Sequence, residues 1–154
     1  MNLAEPIPDP VLRPATTRIA PVDVCDTGCK RATITARGRP PKLISFDAFC
    51  RRVDRFPSLT ALRLEGPVEP LLHPRLFDMV RYAAERGIAV TLRSSLLPLS
   101  ERRAEECVAS GLRRLCVPFD PARPDARVAR SLERIAAAKR YVSEEFPEIE
   151  LVAI

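Results

Sequence analysis

The sequence predicts an α/β fold, namely a partial (β/α) barrel or half-barrel of about five parallel strands with helices on the outside. Two observations predict it. Short apolar runs typical of buried strands alternate with segments whose apolar residues recur at helical spacing. Such alternation produces right-handed β–α–β crossovers and a parallel sheet. The chain has 154 residues, whereas a complete eight-strand barrel typically needs about 250 residues, so we expect an incomplete barrel.

The composition supports one domain with an aliphatic core. Hydrophobic residues make up 46% of the chain and tryptophan is absent, which is enough apolar material for a single core. We assign residues 16–154 to this domain. Residues 1–15 are rich in proline and lack periodicity, so we expect a flexible N-terminal segment there.

The first predicted unit joins a strand at 18–24 to a helix that follows Ser45. Between them lies a polar loop, residues 25–43, that contains glycine and proline. Serine is a preferred N-cap residue because its hydroxyl accepts a backbone N–H of the first turn. The apolar residues that follow at helical spacing are Phe46, Phe49, Val53 and Phe56.

The second unit begins with the short apolar strand 59–64. A turn follows, and Pro74 favours the first turn of the next helix because proline there lacks only an N–H that would be unpaired anyway. Gly87 is placed to end this helix. The third strand, residues 88–92, comes directly after it.

The remaining units follow the same order. Ser100 is the predicted N-cap of a helix that ends near Gly111, and the fourth strand is 112–119. The last predicted helix runs over 127–145. The fifth strand, IELVAI at 149–154, is an apolar edge, and we expect another protein chain to cover it.

Charge and composition argue against several classes of function. The net charge of +5 comes almost entirely from arginines that are scattered along the chain, which is typical of a solvated surface more than of a nucleic-acid site. No apolar run approaches the roughly 20 residues of a membrane span. The start of the chain lacks the features of an export signal, so we expect a cytoplasmic protein. The five cysteines then suggest free thiols or metal ligands instead of a disulfide framework.

Polar motifs follow the predicted strands where each strand ends. Cys25 and Cys29 follow the first strand, and the second runs into LEGPVEPLLHP, which contains Gly66 and Glu69. Further polar residues after the third and fourth strands are Ser94, Ser95 and Asp120. In open parallel sheets, ligands bind at the carboxyl ends of the strands. These motifs are therefore predicted to share one face of the molecule.

This order of motifs resembles the radical SAM superfamily over about residues 18–154. In that family the first strand leads to a C-x3-C-x2-C loop and the second to a Gly-Gly-Glu-Pro turn. The resemblance implies a [4Fe–4S] cluster held by Cys25 and Cys29, and S-adenosylmethionine bound on the neighbouring loops. The implied cofactor-binding residues are Gly66, Glu69, Ser94 and Asp120.

The sequence also departs from the family pattern. Ala32 stands where the third cysteine ligand would be, and Pro67 and Val68 alter the glycine-rich turn by removing an amide donor and adding a branched side chain. Thiolate is the ligand that favours iron–sulfur clusters. The chain also ends within the fifth strand, before the sixth unit of a family core. We therefore expect a degenerate, C-terminally truncated radical SAM core.

The other thiols and the single histidine have mainly structural interpretations. Cys50 could serve as a substitute ligand only if its helix swung toward the loop, while Cys107 and Cys116 are predicted to pack in the core. His73, next to Pro74, is predicted to cap a helix or lie at the surface.

Three hypotheses for function remain. The leading one is a radical SAM-like protein that is inactive as an isolated chain and is a non-catalytic partner, or a remnant, of a radical SAM enzyme. The first alternative is an active iron–sulfur enzyme whose cluster is completed by another residue or another chain. The second alternative is a basic polyanion-binding module.

Overall fold

A parallel sheet of five strands forms the centre of the fold. The computed structural model describes residues 15–23, 41–142 and 146–154. The strand order is β1-β4-β5-β6-β7, and every neighbouring pair is parallel. These strands are β1 (Thr16–Ile19), β4 (Ala61–Leu64), β5 (Ala89–Arg93), β6 (Arg114–Phe119) and β7 (Glu148–Ala153). The α/β fold class is confirmed, and the sheet is consistent with a partial barrel.

Four helices connect the strands in the described structure. They are α1 (Phe46–Asp54), α2 (Leu76–Ala84), α3 (Glu101–Ala109) and α4 (Ala126–Val142). Ser45 and Ser100 are the N-caps of α1 and α3, as predicted: the Ser45 hydroxyl accepts the Ala48 N–H at 3.1 Å and that of Ser100 accepts the Arg103 N–H at 3.3 Å. No described helix is both long enough and apolar enough to cross a bilayer.

The predicted first strand is divided in two. After β1 the chain bends at Pro21, and the short strand β2 (Val22–Asp23) pairs antiparallel with β3 (Lys42–Leu43). Proline has no N–H to continue a ladder, which accounts for the break. Residues 24–40, which include Cys25, Cys29 and Ala32, lie outside the described residues, as do residues 1–14 of the predicted N-terminal segment 1–15.

The second helix begins later than predicted. A 3₁₀ turn, Pro70–Leu72, comes first, and α2 begins at Leu76. The reason is the His73 side chain, whose Nδ1 accepts the Arg75 backbone N–H at 3.1 Å and holds the chain in a bend. His73 is buried and is the C-cap of the 3₁₀ turn, whereas the N-cap of α2 is Arg75 and has no side-chain cap. The predicted roles of His73 as a helix N-cap or a surface residue are therefore both wrong.

The sheet has one apolar face and one charged face because side chains alternate along each strand. The apolar face packs against the helices, and its fully buried residues are Leu62, Leu64, Val90, Leu92, Leu115 and Val117. We call the opposite side the charged face. Besides smaller side chains it carries Arg18, Arg63, Glu65 just after β4, Arg93, Arg114, Cys116, Glu148 and Glu150.

The edge strand β7 keeps apolar side chains in solvent. Ile149 and Leu151 are register partners of Leu115 and Val117 and lie on the same side of the sheet, yet they are 39% and 53% exposed. Exposed apolar strand edges are surfaces on which other chains can pair. Cover by a protein partner stays a prediction.

The two serine caps provide a test of the local basis of the helices. We expect Ser45→Ala and Ser100→Ala each to lower the free energy of unfolding by about 1 kcal/mol, because each leaves a first-turn N–H without its acceptor. Urea denaturation followed by circular dichroism measures the change. Ser58→Ala, at an exposed position in the turn before β4, is the control and should change stability by less than about 0.5 kcal/mol. Equal effects at all three positions would contradict the capping assignment.

Candidate functional site

The Glu69 carboxylate accepts four hydrogen bonds. Its Oε1 accepts the Ser94 hydroxyl at 2.5 Å and the Leu71 N–H at 3.1 Å. Its Oε2 accepts the Ser95 N–H at 2.8 Å and the Ser95 hydroxyl at 2.7 Å. An ionised carboxylate offers about four acceptor sites, so these contacts fill them. The carboxyl-end loops of β4 and β5 are thereby joined through one side chain.

Two further side chains hold the turn that carries Glu69. His73 Nε2 lies 2.8 Å from the Ile44 carbonyl oxygen, and because Nδ1 is already an acceptor, Nε2 carries the proton. The Arg103 guanidinium on α3 donates to the carbonyls of Leu71, His73 and Pro74 at 3.0–3.2 Å. The turn therefore has hydrogen bonds to the segment before α1, to the loop after β5 and to α3.

Gly66 and Pro67 lie beside this turn. A Cβ atom on Gly66 would lie 2.8 Å from Ala20 Cβ and 3.0 Å from the Val22 carbonyl oxygen. The missing side chain therefore accommodates the segment between β1 and β2. Pro67 has no backbone N–H to offer a ligand.

Asp120, the residue predicted on the fourth loop, is engaged locally. Its Oδ1 accepts the Ala122 N–H at 2.9 Å, and its carbonyl accepts the Arg123 N–H. This is an Asx-type turn at the carboxyl end of β6. The Ser94 hydroxyl is also fully used within the protein. It donates to Glu69 and accepts the Leu96 N–H at 3.0 Å. Cofactor binding by these residues stays a prediction.

A cavity of about 700 Å³ opens on the charged face at the carboxyl ends of β1, β4 and β5. Gly66 is the sequence-predicted site residue that lines it. The other lining residues are Arg18, Ala20, Asp23, Arg63, Glu65, Pro67 and Arg93. The sequence interpretation did not single out these arginines. The sequence nevertheless contains a pattern that could have identified them, because each arginine directly precedes or follows a buried aliphatic residue of its strand.

The predicted cluster ligands belong to the segment between β2 and β3. Cys25 and Cys29 lie outside the described residues, although the pairing of Asp23 with Lys42 puts both ends of their segment together beyond the carboxyl end of β1. Across residues 15–23, 41–142 and 146–154, no group of three or more His, Cys, Asp or Glu side chains is arranged to hold a metal ion.

The three described cysteines lie in different settings, and in each the pKa of the thiol is raised. Burial raises the pKa of Cys107 to about 12, in agreement with its predicted core position. Burial also raises the pKa of Cys50, which lies half-buried on α1 beside Tyr82. Cys116 is buried as predicted, but it lies on the charged face. Burial raises its pKa, and so does its bond to Glu150 Oε2 at 3.3 Å.

Comparison with known proteins supports the fold. No family model matches the chain, and no curated protein matches it. The structure is similar to the crystal structure of BtrN in complex with AdoMet and 2-DOIA, with a TM-score of 0.61 and 12% sequence identity. The match covers 90% of this chain and 56% of BtrN, so the chain spans about half the length of that protein. At this identity the likeness is evidence on the fold alone, namely that the chain and BtrN share a similar fold.

The Glu69 bonds lead to a stability prediction. Glu69→Gln keeps the side-chain size but has one acceptor oxygen, so the N–H groups of Leu71 and Ser95 cannot both be paired with it. We expect the free energy of unfolding to fall by about 2–3 kcal/mol, as for hydrogen bonds to a charged group. Urea denaturation measures the loss. The control is Glu85→Gln at the exposed end of α2, and a loss of similar size there would show that the Glu69 bonds contribute little.

The Cys116 contact leads to a reactivity prediction. Removing the carboxylate in Glu150→Gln should lower the pKa of Cys116, because the negative charge beside the thiol disfavours thiolate. The thiolate fraction at pH 8, and with it the rate of alkylation by iodoacetamide, should rise several-fold. Peptide mass mapping follows Cys116 separately from the other cysteines. Glu148→Gln removes the same charge two residues earlier on β7 and should change the alkylation rate of Cys116 less. An unchanged rate in Glu150→Gln would refute the assignment.

Proposed function

We propose that this chain is a binding domain with a radical-SAM-like fold that does not generate a radical by itself. It acts as a non-catalytic partner of a radical SAM enzyme. The observation that carries the proposal is the saturation of Glu69, the acidic residue of the turn that the family resemblance assigns to the cofactor. All four of its acceptor sites are occupied by Leu71, Ser94 and Ser95, so its role in this chain is to join two loops.

The residues around Glu69 fit the cofactor poorly. A glycine-rich turn serves a cofactor by letting it approach the backbone closely, but the space beside Gly66 is filled by Ala20 and the Val22 carbonyl. Pro67 removes one backbone donor. These contacts support the proposal that the turn at the carboxyl end of β4 stabilises the fold and does not bind the cofactor.

The cysteine pattern supports the same proposal. A site-differentiated [4Fe–4S] cluster needs three thiolates so that one iron stays open to the cofactor. The C-x3-C pair of Cys25 and Cys29 is followed by Ala32, and alanine has no ligand atom. Chemistry that depends on the cluster therefore has no complete set of ligands within this motif.

The alternative is an active enzyme whose cluster is completed elsewhere. Its support is that BtrN, which has a similar fold, was crystallised in complex with AdoMet, and that Gly66 lines a cavity at the carboxyl ends of the strands. The two proposals differ in whether the isolated chain assembles a cluster and cleaves S-adenosylmethionine.

Anaerobic reconstitution with iron and sulfide separates them. We expect the natural chain to retain far less than the roughly four irons of a complete cluster and to release no deoxyadenosine from S-adenosylmethionine after reduction with dithionite. Ala32→Cys restores the C-x3-C-x2-C spacing, so we expect that variant to bind iron and to show the electron paramagnetic resonance signal of a reduced cluster.

The control for the added thiol is Thr33→Cys, which introduces a cysteine one position away from the motif spacing. It should remain as poor in iron as the natural chain. A natural chain that binds about four irons and forms deoxyadenosine would overturn the proposal and establish the alternative.

A further inference from the structure

We infer that the cavity on the charged face binds a small anionic ligand through Arg93 and Arg63, with a carboxylate or a phosphate as the group recognised. The inference deepens the proposed function and rests on it in one respect, namely that the carboxyl-end cavity is the site of binding. Neither the resemblance nor the comparison assigns a role to these arginines.

The strand register brings the arginines together. Arg18 and Arg63 are direct register partners on β1 and β4. Arg93 on β5 lies two residues beyond Thr91, the partner of Arg63. Strand spacing and rise put the Cα atoms of Arg63 and Arg93 roughly 8 Å apart, so two long side chains on the same face can reach one ligand.

Two of the three arginines that line the cavity form ion pairs with Glu65. Glu65 pairs with Arg63 at 3.2 Å and with Arg18 at 3.8 Å. The Arg93 side chain is half-buried and takes part in no hydrogen bond or ion pair among the side chains of the described residues, while its backbone belongs to the ladder between β5 and β6. Arg93 lines a cavity whose Glu65 carboxylate already pairs with two other arginines, so its guanidinium is a cation available to a ligand.

The charge balance of the cavity favours an anion. Its lining carries the three guanidinium groups of Arg18, Arg63 and Arg93 against the carboxylates of Asp23 and Glu65, which leaves a formal charge of +1. By contrast, the groove between α3 and α4 has equal numbers of acidic and basic side chains, namely Glu101, Glu105, Glu133, Arg130, Arg134 and Arg140.

Arginine also determines the kind of anion. Its planar group presents paired N–H donors that match the two oxygens of a carboxylate or phosphate. A volume of about 700 Å³ lies within the range of small-molecule sites, about 300–1,000 Å³. The ligand is therefore a small molecule that carries such a group.

Isothermal titration calorimetry tests the inference on the iron-free natural chain at low salt, with inorganic phosphate in one series and succinate in the other. We expect saturable binding of one anion per chain, and the tighter series identifies the phosphate or the carboxylate source. Arg93→Gln should weaken the binding at least about tenfold, because a charge-assisted hydrogen-bond pair is lost. Glu65→Gln should tighten it several-fold, because Arg18 and Arg63 lose their internal partner.

The matched control is Arg102→Gln, which removes the same charge from a side chain that is 88% exposed on α3 and should change affinity less than about twofold, as expected for a screened surface charge. Circular dichroism establishes that each variant is folded. The inference is overturned if neither anion binds, or if Arg93→Gln and Arg102→Gln weaken binding equally. Because no cluster or S-adenosylmethionine is present, these outcomes are independent of the reconstitution experiment.

Discussion

The carboxyl end of the sheet depends on the hydrogen bonds that the Glu69 carboxylate accepts. One side chain joins the loop after β4 to the loop after β5 through the hydroxyl groups of Ser94 and Ser95 and a backbone N–H. Hydrogen bonds to an ionised group are among the stronger ones in proteins, and a buried charge without them is costly. The turn beside Gly66 is consequently held in one position relative to β5.

Arg103 and His73 extend this constraint to the helices. Arg103 donates to three carbonyls of the same turn and stacks over the Phe77 ring, while His73 bonds to the Ile44 carbonyl. Because the polar groups of the turn are paired within the protein, they contribute to stability. Among the described residues that line the cavity, Arg93 on β5 is the arginine whose side chain has no internal hydrogen bond or ion pair. Structure and ligand recognition therefore rest on different residues of adjoining elements.

The two faces of the sheet likewise have different roles, one in hydrophobic packing and the other in polar contacts. Leu62, Leu92 and Leu115 on the apolar face are fully buried and contribute to the hydrophobic stabilisation of the domain. The charged face has ion pairs such as that of Arg114 with Glu148 at 3.2 Å, which at partly exposed positions contribute little to stability. Polar residues on strands of a parallel sheet, where aliphatic residues are the norm, are better explained by recognition than by folding.

The sequence alone determined the order of strands and helices and the caps at Ser45 and Ser100, because periodicity and capping involve residues only three or four positions apart. It also showed the absence of a thiol at Ala32. Only the tertiary structure decided the partners of Glu69, which lie 25 and 26 residues further along the chain, and the late start of α2 at His73. The proximity of Arg63 and Arg93 beside one cavity was likewise decided by strand register. Such contacts depend on how distant segments pack together, and no local pattern encodes that packing.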